Sequence, residues 1–180
     1  MNPVKANYSK TVKSLFFFWS TSALLAIGVY YILWLIMPSH RVFGAFFHMN
    51  LYHYRYPVPY ILIVCFFYGI VATLFTDRFV RQTQLRQIIT TLIIVILTVL
   101  ISSPFGGMLW HYHDMQAGFF PGDWKRKMVK NGIRDGLSIG WFIIAISIPY
   151  NIIGILICYY LTRKGAFLLR EKPNKSNKTV

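Results

Sequence analysis

The chain alternates between long apolar runs and short polar breaks, and that alternation predicts its elements. Four stretches contain no Asp, Glu, Lys or Arg: residues 14–37, 57–76, 87–113 and 136–162. A helix rises ~1.5 Å per residue and the hydrocarbon core of a bilayer is roughly 30 Å thick, so each stretch is long enough to cross. An ionised side chain at mid-bilayer costs on the order of 3 kcal/mol on insertion scales, which makes four uninterrupted windows informative. The expected fold is all-α: an integral membrane four-helix bundle with spans near 14–37, 58–76, 87–110 and 138–161, and short interfacial helices in the two outer loops. Residues 1–166 would form one transmembrane domain and residues 167–180, which end in EKPNKSNKTV, a disordered cytoplasmic tail. A soluble helical protein is excluded because these helices lack polar outer faces.

Composition agrees. Of the 180 residues, 56% are hydrophobic and 13% charged, against roughly 25% charged in a soluble domain. The formal charge of +14 would suggest nucleic acid in a soluble chain. Here the bases lie between and beyond the apolar runs, so anionic lipid headgroups are the expected counter-charge and no nucleic acid is expected. The first apolar run is too long for the hydrophobic region of a cleaved signal peptide and is expected to stay in the chain.

Four spans put both termini on one side. Twelve of the 19 basic residues fall in the two tails and the middle loop, and seven in the other two loops. The positive-inside bias therefore predicts cytoplasmic termini in a plasma membrane. The count is imperfect because Lys125, Arg126, Lys127, Lys130 and Arg134 crowd the last outer loop.

In the first outer loop, Phe43, Phe46, Phe47, Leu51 and Tyr54 repeat at helical spacing, the pattern of a segment lying in the headgroup layer. In the second, Asp123 is placed to cap a helix over DWKRKMVKNGIRDG. On that helix Arg126, Lys127, Lys130 and Arg134 gather on one side, with Trp124, Met128 and Val129 facing away. It reads as a basic interfacial helix held to anionic lipid or to an acidic partner.

Candidate chemistry concentrates around LWHYHDMQAGFFPGDW, residues 109–124. His111, His113 and Asp114 form the one group close enough in sequence to propose as base and orienting carboxylate, but no catalytic residue is expected, and His111, His113 and Asp114 with Trp110 and Trp124 read as recognition candidates. No cofactor is expected; His48, His53, His111 and His113 are weak candidates for a divalent metal ion. Their spacing argues against a shared ion: on a helix, residues two apart point about 200° apart. The alternative is interfacial imidazoles bonded to water, headgroups or backbone. No P-loop, HExxH, nucleophile-elbow or dinucleotide-binding pattern occurs. Cys65 and Cys158 lie alone in apolar segments and read as packing residues. They also lack the paired loop cysteines of four-span oxidoreductases and the outer-loop pair of claudin-like proteins.

Gly132, Gly136 and Gly140 recur every four residues and predict a helix face that another helix approaches closely, within the chain or between copies. Pro149 and Asn151 in the fourth span, and Pro104 within SSPFGG of the third, are kink or pore candidates that would open on one outer-half cavity. The reading that follows is a non-enzymatic accessory or regulatory protein that binds a membrane protein or a second copy of itself. A small transporter or permeability factor is the alternative, and a metal-dependent membrane enzyme or sensor the second alternative.

Overall fold

A computed structural model describes residues 3–36, 57–118, 124–142 and 150–168. Every regular element among them is helical. They comprise α1 (Pro3–Ile36), α2 (Pro57–Phe79), α3 (Gln84–Gln116), α4 (Trp124–Asp135), a π-helical segment Gly136–Gly140 that continues α4, and α5 (Tyr150–Leu168).

Three of these helices are long and apolar enough to cross a membrane: Thr11–Ile36, Pro57–Phe79 and Gln84–Gln116. Which side chains each buries strengthens that reading. The inward face of α3 carries Gln87, Thr90, Thr91, Thr98, Ser102 and Ser103, all buried, whereas Leu85, Ile88, Ile96, Leu100 and Phe105 are exposed. A helix with hydroxyls inside and aliphatics outside would be unstable in water, but it suits a solvent as apolar as leucine. The inward hydroxyls bond carbonyls one turn back, Thr91 to Gln87 at 2.9 Å and Ser103 to Val99 at 2.7 Å, so they enter the interior satisfied.

Packing starts from α1 and α2. Gly69 lets α2 approach closely, since a Cβ there would lie 3.2 Å from Leu15 O and Trp19 N. Ala23, Tyr30, Ile61 and Cys65 fill the contact beyond it. A second cluster of Phe18, Tyr68, Val71, Ala72, Ile94 and Leu161 joins α1, α2, α3 and α5. The phenol of Tyr68 stands edge-on to Phe18 and shares a 2.8 Å hydrogen bond with Thr162, which fastens α2 to α5. Cys65 and Cys158 are free thiols. The α2–α3 turn is tied by Gln87, whose amide donates to Phe79 O at 3.2 Å, and by Thr90, which donates to Gln82 at 2.8 Å.

Three expectations change. The first and third helices are longer than the spans, 34 and 33 residues. α3 is therefore about 50 Å long and projects well beyond a 30 Å core. The residues around His111 continue α3 to Gln116 and are not loop. Lastly, the basic helix packs lengthwise and antiparallel on the C-terminal half of α3, which is its only packing partner among the described helices. The first outer loop, with His48 and His53, lies outside the described residues. So do Pro149, the centre of the expected fourth span, and the tail beyond Leu168.

Candidate functional site

The C-terminal half of α3 and the helix of α4 with its π-helical continuation are held together by an exchange of glycines. A Cβ on Gly132 would come 2.6 Å from the Cα of Met108, and one on Gly136 would press on Ser103 O and stand 2.9 Å from the Cα of Pro104. Gly107 answers from the other side, where a Cβ would meet Gly132 O and come 2.8 Å from Gly136 N. Two backbones thus touch with no side chain between them, at the SSPFGG stretch of α3. Gly136 of the π-helical segment packs close against Pro104, and α3 runs on as helix through the proline. The glycine face, expected to meet another helix within the chain or between copies, is at Gly132 and Gly136 covered by α3 of the same chain. Gly140 closes the π-helical segment.

That contact sets the register of the polar groups. Asp135 is three residues beyond Gly132 and shares its inward face. Its Oδ2 lies 2.9 Å from His111 Nε2, and its Oδ1 accepts from Arg134 Nε at 3.0 Å. The His111 and Asp135 side chains keep 13% and 23% of their surface, so the pair sits at the wet edge of the contact. Burial pushes the Asp135 carboxyl up, but hydrogen bonds from His111 and Arg134 and their charges outweigh it, and the net direction is below the ordinary carboxylate value. Trp110 stacks beside His111, ring centroids 6.1 Å apart and tilted by 27°.

His113 points elsewhere, as two residues on a helix must. Its ring stacks on Tyr60 of α2 at 5.9 Å, and Asp114 is buried one residue on. The group of His111, His113 and Asp114 is therefore divided between two helix contacts, and the carboxylate facing His111 is Asp135, 24 positions away. Sequence reasoning missed Asp135; the clue was its place on the glycine face at i+3 from Gly132. Among the described residues no three His, Cys, Asp or Glu side chains gather closely enough to hold a metal ion.

The remaining candidates lie outward or apart. Arg126, Lys127, Lys130 and Arg134 are all exposed, and so is Val129, which was expected to face away from them; Met128 is half-buried. Trp124 opens α4, and Asn151 is half-buried in the first turn of α5. Taken together, the helices and their lipid-suited surface suggest a helical membrane protein in which α3 and α4 form a helical hairpin that carries the His111–Asp135–Arg134 contacts and a cationic exterior. Comparison with protein families, curated proteins and solved structures gave no match.

Proposed function

We propose that the chain is a non-enzymatic four-span protein of the plasma membrane, with both termini cytoplasmic. It acts as an accessory or regulatory subunit of another membrane protein or of a second copy of itself. The fourth crossing in this reading runs from the π-helical segment into α5.

The observation that carries the proposal is an open notch on α1. Among the described residues a Cβ on Gly28 would meet nothing within 4 Å, and Leu24, Leu25, Ile32 and Leu35 around it are exposed. In lipid, helices associate where a missing side chain lets backbones approach, because burying apolar surface gains nothing over acyl chains. Gly106 on α3 and Gly154 on α5 are open in the same way. Asp135 of the hairpin is engaged by both His111 and Arg134, which suits a structural part better than a catalytic one.

A photo-crosslinking residue at Leu24 or Ile32, activated in native membranes, tests this. The expected product is a defined adduct with one membrane protein or a dimer, lost on Gly28→Leu. That substitution has room to fold, so its effect reports on association. Adducts with lipid alone from both positions would refute the reading.

A further inference from the structure

We infer that the outward face of α4 is a binding site for one anionic phospholipid. The proposal does not depend on the partner at Gly28. Arg126, Lys130 and Arg134 are spaced i, i+4 and i+8 and so lie along one helix face, and Lys127 is one turn from Lys130. All four are exposed, Arg134 to 74%. Directly below them the same helix turns apolar and stays exposed, at Leu137 and Trp141. The change from water to hydrocarbon along this helix therefore falls between Arg134 and Leu137.

Orientation makes this a site for a single lipid. Because Gly132 and Gly136 dock on Met108 and Ser103, α4 stands along α3 instead of lying flat, and its cations are stacked at successive depths. Three residues of helix rise about 4.5 Å, so Arg134 is placed within a headgroup layer roughly 5–8 Å deep above Leu137. Asp135, the one acid of α4, engages Nε of Arg134, leaving the terminal guanidinium nitrogens to grip a phosphate in bidentate fashion. A ligand with a phosphate above acyl chains matches both halves of this face. An acidic protein surface would match only the upper half.

Native mass spectrometry of the full chain, released from detergent with equal amounts of phosphatidylglycerol and phosphatidylcholine, tests the site. One phosphatidylglycerol should be retained in preference by roughly 25-fold, and Lys130→Gln with Arg134→Gln should reduce that preference to near parity, at about fivefold per charge removed. Lys130→Gln alone leaves the Arg134–Asp135 contact in place and should lower the preference about fivefold, which separates loss of the site from loss of the hairpin. Arg78→Gln with Arg81→Gln, at the α2–α3 turn, should change nothing. Equal retention of the two lipids, an unchanged preference in the double variant, or displacement of lipid by a polyglutamate peptide would each overturn the proposal.

Discussion

The imidazole of His111 meets the carboxylate of Asp135 at 2.9 Å, joining two helices across a contact otherwise made by glycine backbones. Two such backbones fit in only a few registers, and the one adopted brings the single acid of α4 to the last full turns of α3. The pair and the glycine contact should therefore fail together.

Enlarging the contact is expected to separate the hairpin. In Gly136→Leu the side chain would have to displace Ser103 and Pro104 backbone atoms, which cannot yield as a side-chain tip could. Overpacking of this kind costs on the order of 1–3 kcal/mol or more. The variant should unfold at lower denaturant in detergent and expose residues 124–135 to protease, while Gly28→Leu should match the parent in both measurements.

The ion pair itself is expected to contribute modestly, being partly wet. A double-mutant cycle of His111→Ala and Asp135→Asn, read by chemical unfolding in micelles, should give a coupling of about 1–2 kcal/mol. A coupling indistinguishable from zero would reduce the contact to a crossing of side chains without consequence.

Acid should weaken the hairpin in one direction only. The folded Asp135 carboxyl titrates below its unfolded value of about 3.9. Its contribution is fully present above that value and disappears as pH falls through the lower, folded one. Stability measured from pH 5 downward should therefore decline more steeply in the parent than in Asp135→Asn, with the difference between the two closing at the acid end.

Removing the Tyr68 hydroxyl tests the fastening of α5 to the rest. Tyr68→Phe keeps the ring against Phe18 and deletes the bond to Thr162. A loss of about 0.5–1.5 kcal/mol is expected, toward the lower end for a bond inside a membrane-embedded bundle. Differential scanning in detergent would register it, and a larger loss would mean that the edge-on ring contact had moved as well.

Much of this molecule was legible in its amino-acid order. Apolar runs uninterrupted by charge located the lipid-crossing parts of α1, α2 and α3, because the bilayer penalises each ionised group independently of what the rest of the chain does. The divergence of His111 and His113 was equally local, following from the turn angle of one helix. Glycines four apart on the fourth stretch announced a close approach for the same reason.

What they approached was decided only in three dimensions. Nothing local to Gly132 or Gly136 names Gly107 and Ser103 as the surface that covers them, and periodicity alone cannot tell a basic helix lying in a headgroup layer from one standing against a neighbour. Register between two helices comes from side chains far apart in sequence meeting at once. For that reason the contact of His111 with Asp135, the approach of Gly136 to Pro104 and the stacking of cations above Leu137 belong to the tertiary structure.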